Sequence, residues 1–196
     1  MVEITGGWIA AVLAGVVVTV LLGAALVLTV AAMRRLSTAL LMTAGAAVVA
    51  ALVVAVVAHV EAPAPIGVPL ALVGIAAAVV GGDPVTRRVL AIAASGRVRE
   101  TPDGGIVVTD DAGAGASEEV VLLRGGATIG YLERIATAAA IIAGYPEAIA
   151  AVVAVKGVGR FSELSGSETR ERFIVGTLSS LVWAAVVAAA VRLALF

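Results

Sequence analysis

Long apolar stretches, most of them uncharged, alternate along this chain with connections that carry most of the charge. Each stretch is close to or longer than the roughly 20 residues with which a helix crosses about 30 Å of hydrocarbon. The pattern therefore predicts an all-α polytopic transmembrane helix bundle with about six spans. The predicted spans are residues 8–33, 36–58, 66–82, 127–144, 146–160 and 173–195. The fifth is short, so it crosses fully or is a re-entrant segment protected by its neighbours.

Proline and glycine mark the predicted breaks around the third span. Pro63, Pro65 and Pro69 predict a tight turn before it, because proline lacks an N–H and biases the preceding residue away from helix. The sequence Gly-Gly-Asp-Pro at 81–84 predicts its end. Residues 85–95 then predict an interfacial helix with Arg87 and Arg88 directed toward lipid headgroups.

Residues 96–126 have the composition of a water-exposed segment, with several glycines, Pro102 and the pair Asp110-Asp111. Two β-prone runs, 106–109 and 119–123, predict a loose hairpin there. The chain thus divides into three predicted parts. They are three spans with an interfacial helix (1–95), a cytoplasmic β-prone insertion (96–126), and a helical hairpin with a final span (127–196).

Composition supports a membrane protein and excludes several kinds of site. Hydrophobic residues make up 61% of the chain and the mean hydropathy is +1.13, above the roughly 45–50% apolar content of soluble domains. Cysteine is absent, which excludes disulfides, thiolate metal sites and a cysteine nucleophile. We expect no metal and no cofactor. The basic surface is also too small to bind nucleic acid.

The distribution of basic residues predicts the orientation. Ten of the 13 basic residues fall in connections on one side of the predicted bundle, and such residues stay cytoplasmic. Both termini are therefore predicted outside and residues 83–126 in the cytoplasm. Twelve arginines against one lysine, in a chain rich in alanine and glycine, favour a bacterial cytoplasmic (inner) membrane.

Charged residues within the fourth and fifth spans are the main site candidates. Around a hairpin tip at Tyr145, Glu133 lies 12 residues before and Lys156 lies 11 after. At 1.5 Å per residue both reach about the same depth, roughly 17 Å from the turn, so they can pair. Arg160 lies four residues after Lys156 on the same helical face, where it could also reach Glu133 or a lipid phosphate.

Two interpretations of these charges remain open. In the first, Glu133 and Lys156 form a buried ion pair that fixes the hairpin register, with Arg134 extending to the headgroups. In the second, Glu133, Lys156 and Arg160 line a polar cavity for an ion, a proton or a lipid headgroup. Thr177 is a weaker candidate, because a helical hydroxyl most often bonds the carbonyl one turn back.

Enzyme motifs are incomplete in this sequence. Gly81-Gly82-Asp83 matches part of the G-x-G-D motif of intramembrane aspartyl proteases, but position 80 is Val and a second intramembrane Asp is missing. His59 is the only histidine and has no recognisable nucleophile or metal-ligand companions. Small residues at four-residue spacing, such as Gly15, Thr19 and Gly23, instead favour close helix packing.

Three segments between residues 125 and 188 carry a family resemblance: GATIGYLERIATAAAIIAG, EAIAAVVAVKGVGRF and ERFIVGTLSSL. They resemble the C-terminal half of a family of bacterial inner-membrane proteins that has no established activity. The family motifs are IG-x-LER, A-K-S-x-x-RF and E-Y-x-x-IGTL-S. The matching positions are Ile129, Gly130, Leu132, Glu133, Arg134, Ala154, Lys156, Arg160, Phe161, Glu171, Gly176, Thr177, Leu178 and Ser180. Gly157 departs from the motif serine, Glu171-Arg172-Phe173 interrupts the E-Y pair, and residues 1–124 lack the family's N-terminal pattern.

We expect a non-enzymatic accessory or scaffold protein whose helices contact lipid, other membrane proteins or a second copy of this chain. The alternative is a small transporter, channel or lipid-binding protein that acts through Glu133, Lys156 and Arg160. Neutralising Glu133 and Lys156 together distinguishes the two, because a scaffold retains its function and a transport or lipid site does not.

Overall fold

The computed structural model describes most of the chain, chiefly as α-helix. The described residues are 2–34, 37–59, 61–93, 99–100, 106–107, 126–159 and 167–196. Within these ranges lie six helices: α1 (Val2–Arg34), α2 (Thr38–Ala58), α3 (Ala64–Ala93), α4 (Gly126–Ala143), α5 (Ala148–Gly159) and α6 (Ser167–Leu195).

Four of these helices, α1, α2, α3 and α6, are long and apolar enough to cross a membrane. The other two fall short of the predicted six spans. α4 has 18 residues and carries Glu133 and Arg134. α5 has only 12 residues, a rise of about 18 Å, which is less than the roughly 30 Å of a hydrocarbon core. The described helix of the fifth predicted span is therefore too short to cross by itself.

The predicted break at Gly81-Gly82-Asp83-Pro84 is wrong. α3 continues through it as one helix of 30 residues, with Pro69 and Pro84 inside. Each proline removes only one backbone N–H, and a helix packed between neighbours tolerates that loss. The glycines here permit close packing, since a Cβ at Gly81 would come within 2.7 Å of the Trp183 ring.

The structure does not support the predicted hairpin of the insertion. Among the described residues of this segment, two-residue strands β1 (Arg99–Glu100) and β2 (Ile106–Val107) pair antiparallel. The predicted pairing of 106–109 with 119–123 is not formed by these strands, and 119–123 lies outside the described residues.

Helix α6 lies at the centre of the bundle. Half of its apolar window is buried, against 22% for α1 and 28% for α2. It packs against α3, α4 and α2. The apolar residues of α1 and α2 that remain exposed, such as Leu13, Val20 and Met42, form a surface suited to lipid.

Contacts between α3 and its neighbours define the direction of the helices. Gly67 approaches Leu195, and Gly74 approaches Val191, so α3 and α6 are antiparallel. The backbone N–H of Ala62 donates to the carbonyl of Ala194 at 2.9 Å, which joins the α2–α3 connection to the end of α6. The C-terminal half of α3 therefore lies beside the N-terminal half of α6.

Gly74 is the closest approach of α3 to α6, and a side chain there should destabilise the bundle. In Gly74→Ala the new Cβ would overlap Val191, and overpacking of this kind costs about 1–3 kcal/mol. Gly45→Ala on α2 is the control, because nothing lies within 4 Å of a Cβ there. Thermal unfolding in detergent should give a lower midpoint for Gly74→Ala than for the control. Equal midpoints would show that α3 and α6 are not in close contact at this position.

Candidate functional site

The tip of the α4–α5 hairpin fixes how the two helices face each other. Gly144 has a φ of +83°, the left-handed conformation that glycine adopts without strain. The N–H of Tyr145 donates to the carbonyl of Ala140 at 2.8 Å, and that of Gly144 donates to Ile141 at 3.0 Å. These two bonds are the Schellman pattern that ends a helix, and α5 then returns antiparallel to α4.

The structure brings Glu133 and Lys156 together across this hairpin. Lys156 Nζ lies 2.5 Å from Glu133 Oε2, and the Glu133 and Lys156 side chains are 7% and 16% exposed. The Lys156 ammonium also lies 5.7 Å from the centre of the Phe173 ring on α6. The pair thus joins α4 to α5 directly, and Lys156 contacts α6 through an aromatic face.

Arg134 points into the bundle and is 3% exposed, so the predicted extension to headgroups is wrong. Its Nε donates to the carbonyl of Val79 on α3 at 2.6 Å, and its Nη1 donates to Ser180 Oγ on α6 at 3.0 Å. The guanidinium lies 4.9 Å from the centre of the Tyr131 ring. Arg134 therefore links α3, α4 and α6.

Glycines make room for this guanidinium. A Cβ at Gly82 on α3 would lie 2.9 Å from Arg134 Nε, and one at Gly130 on α4 would lie 3.1 Å from Nη1. A larger residue at either position would displace the arginine. Gly82 thus makes room for the Arg134 side chain and Gly81 for the Trp183 ring, and the pair does not end the helix as predicted from the sequence.

Several buried polar atoms near these charges have no hydrogen-bond partner among the described residues. They belong to residues of the C-terminal half of α3, of α4 and of the N-terminal half of α6. The atoms are Thr86 Oγ1, Arg88 Nε, Glu133 Oε1, Arg134 Nη2, Thr137 Oγ1 and Thr177 Oγ1. Buried polar groups without partners are rare in folded proteins, so their grouping marks this end of the bundle as the candidate site.

The remaining predicted site residues lie in different environments. Arg87 forms an ion pair with Asp83 at 3.0 Å within α3. Glu171 is exposed near the start of α6, and Arg160 lies outside the described residues. Thr177 is buried, but its hydroxyl does not bond its own helix as predicted. His59 is exposed at the end of α2, and the described residues contain no group of three metal-ligating side chains.

Three buried or bonded residues were not among the candidate site residues: Thr137 and Ser180 near the charges, and Arg192 beside the hairpin tip at Gly144. Thr137 lies four residues after Glu133, so helical spacing could have found it. Ser180 matches a position of the resembled family motif but Arg192 gave no signal, and the contacts of both depend on how α6 packs. Arg192 Nη1 donates to the carbonyls of Ile141 and Ile142 at 3.3 and 3.0 Å, which completes the end of α4.

Comparison of the chain with models of known protein families, with curated proteins and with solved structures finds no match. The function is therefore argued from the geometry of this site.

Removing one partner of the buried pair should cost more stability than removing both charges. Lys156→Met leaves the Glu133 carboxylate buried and unpaired, at a cost of about 3 kcal/mol. Adding Glu133→Gln removes that charge and should recover part of the loss. Thermal unfolding of the single and double variants measures the loss of stability and its partial recovery. Glu171→Gln, the same change on an exposed residue, should have almost no effect. A double variant less stable than Lys156→Met would contradict this account of the pair.

The stability of the bundle should depend on the planar, multiple-donor shape of the Arg134 guanidinium, and not only on its charge. Lysine cannot donate to Val79 and Ser180 in the same planar geometry, so Arg134→Lys should destabilise by about 1–3 kcal/mol. Ser180→Ala removes only one acceptor and should cost less. Denaturant unfolding in detergent measures the free energy of unfolding of the two variants and shows which is less stable. Wild-type stability for Arg134→Lys would mean that charge alone suffices.

Proposed function

We propose that this chain is an integral membrane protein of the bacterial cytoplasmic membrane and acts as a non-enzymatic accessory or scaffold subunit. The observation that carries the proposal is the position of α5. Its backbone lies near α4 alone among the described helices, its contact with α6 is the Lys156 side chain over the Phe173 ring, and none of its residues is buried. An apolar helix held at the edge of the bundle is available to a second copy of this chain or to another membrane protein.

The closed geometry of the charges supports the same role. Lys156 is bonded to Glu133, and Arg134 donates to a backbone carbonyl and a hydroxyl inside the bundle. Groups engaged in this way fix helix positions. They are the same Glu133, Arg134 and Lys156 that carry the family resemblance, which supplies no activity of its own.

The basic residues support an orientation in which the candidate site lies on the cytoplasmic side. Arg87 and Arg88 near the end of α3 lie at the same end of the bundle as Arg170 and Arg172 near the start of α6. Retention of basic residues in the cytoplasm then leaves the termini outside, with residues 83–126 inside.

A second candidate function is binding of an anionic lipid headgroup at the same end of the bundle. The observation that favours it is Arg88, whose Nε is buried and has no partner among the described residues. A basic residue near the membrane surface contributes about 1 kcal/mol of attraction to anionic lipid. Arg87 is less available, since Asp83 already pairs with it.

Photocrosslinking from α5 tests the scaffold role. Val155 is 74% exposed, and on this proposal a photoreactive residue there should form adducts with protein in native membranes. The control is Met42 on α2, 70% exposed, which should label lipid alone. Gel mobility and mass spectrometry identify the adducts. Lipid adducts alone at both positions would contradict the proposal.

The double variant Glu133→Gln/Lys156→Met separates the two candidates once it is shown to fold. A scaffold keeps its protein adducts at Val155, because the docking face is unchanged. If the folded variant instead loses anionic phospholipid that copurifies with the wild type, the lipid-binding function is favoured.

A further inference from the structure

Most described hydroxyl residues in the helices away from the charged end bond their own backbone. Thr29 is fully buried and donates to the carbonyls of Ala25 and Leu26, both at 2.9 Å. Thr19 and Thr43 donate in the same way to the carbonyl four residues earlier. This local bond is how a hydroxyl is accommodated in an apolar helix bundle.

Thr137 and Thr177 do not follow this pattern. Thr137 is fully buried and Thr177 is 7% exposed, yet neither hydroxyl has a hydrogen-bond partner among the described residues. A buried hydroxyl left without a partner costs about 1–3 kcal/mol, and the local carbonyl is available to a threonine in any helix. Their hydroxyls are therefore placed to bond something other than their own backbone.

Complementary polar atoms lie beside these two threonines. Thr137 follows Glu133 by four residues and Arg134 by three, so its side chain lies next to both on the same side of α4. Glu133 Oε1 is an acceptor without a partner, and Arg134 Nη2 is a donor without one. On α6, Thr177 lies between Phe173, which contacts Lys156, and Ser180, which contacts Arg134. The unpartnered atoms thus belong to two helices, α4 and α6, that pack against each other and are linked by the Lys156–Phe173 and Arg134–Ser180 contacts.

The charges around this junction select a neutral ligand. A cation would lie beside Lys156 and Arg134, and an anion would lie beside the Glu133 carboxylate. Water donates to the carboxylate oxygen and accepts from the guanidinium, and with its second hydrogen and second lone pair it can donate to one hydroxyl and accept from the other; buried water typically makes about three such bonds. The region is closed to bulk solvent, since Glu133, Arg134 and Thr137 are 6%, 3% and 0% exposed, which favours a small ligand.

We propose that the α4–α6 junction is a binding site for internal water, formed by Glu133 Oε1, Arg134 Nη2 and the hydroxyls of Thr137 and Thr177. The bound water connects the Glu133–Lys156 pair to Arg134. This hydration site does not depend on the scaffold function proposed above, since the water binds within one chain.

Matched threonine-to-valine variants of the full chain test the site. Thr137→Val should lower the thermal midpoint by about 3 °C or more relative to Thr29→Val, because it removes a bond to water that also satisfies Glu133. Thr29→Val removes only a local bond, and the helix propensity change is the same in both variants. If the Thr137 hydroxyl binds nothing, replacing it with a methyl group removes the cost of a buried unpartnered polar group and should not lower the midpoint. A midpoint for Thr137→Val equal to or above that of Thr29→Val would overturn the proposal.

Two further measurements identify the ligand. The midpoint difference between wild type and Thr137→Val should be the same in sodium chloride, choline chloride and sodium phosphate. A difference that appears only with sodium or only with phosphate would assign the site to that ion and overturn the water proposal. Water-edited solid-state NMR on the wild-type protein in lipid does not depend on a variant folding. Magnetisation should pass from water to the methyl groups of Thr137 and Thr177 faster than to Thr29. Equal transfer would also overturn the proposal.

Discussion

A guanidinium enclosed by apolar helices has to find its hydrogen-bond acceptors within the protein, because lipid offers none. Arg134 meets this requirement with the carbonyl of Val79 and the hydroxyl of Ser180. The packing around it follows from that need. α3 can approach the Arg134 side chain because Gly82 has no side chain of its own. α6 has to place Ser180 at the level of the guanidinium. The positions of three helices are thereby coupled to one side chain.

Sequence periodicity predicted the parts of this arrangement that depend on a single hairpin. Glu133 and Lys156 are nearly equidistant from Tyr145, so helical rise alone indicates that they can meet. Long apolar runs likewise indicate α1, α2 and α6 without reference to their neighbours. These features could be predicted because each depends only on the residues of one helix or one hairpin.

Features that depend on neighbouring helices could not be predicted in this way. Gly81-Gly82-Asp83-Pro84 has the local composition of a break, but packing against Trp183 and Arg134 keeps α3 helical. The Trp183 indole donates to the Ala77 carbonyl at 3.0 Å, a contact across 106 residues. Arg134 looked like a residue that extends to lipid because its acceptors lie 55 and 46 residues away.

The cap supplied by Arg192 has a consequence for how this protein enters the membrane. The last carbonyls of α4 accept from a side chain about 50 residues later in the chain. During translation α4 and α5 are therefore made well before the group that completes them. There is a stage, before α6 is present, in which the Ile142 carbonyl needs another donor such as water, whereas the Ile141 carbonyl already accepts from the N–H of Gly144. Insertion of α6 ends that stage, so the order of synthesis differs from the order in which the fold becomes complete.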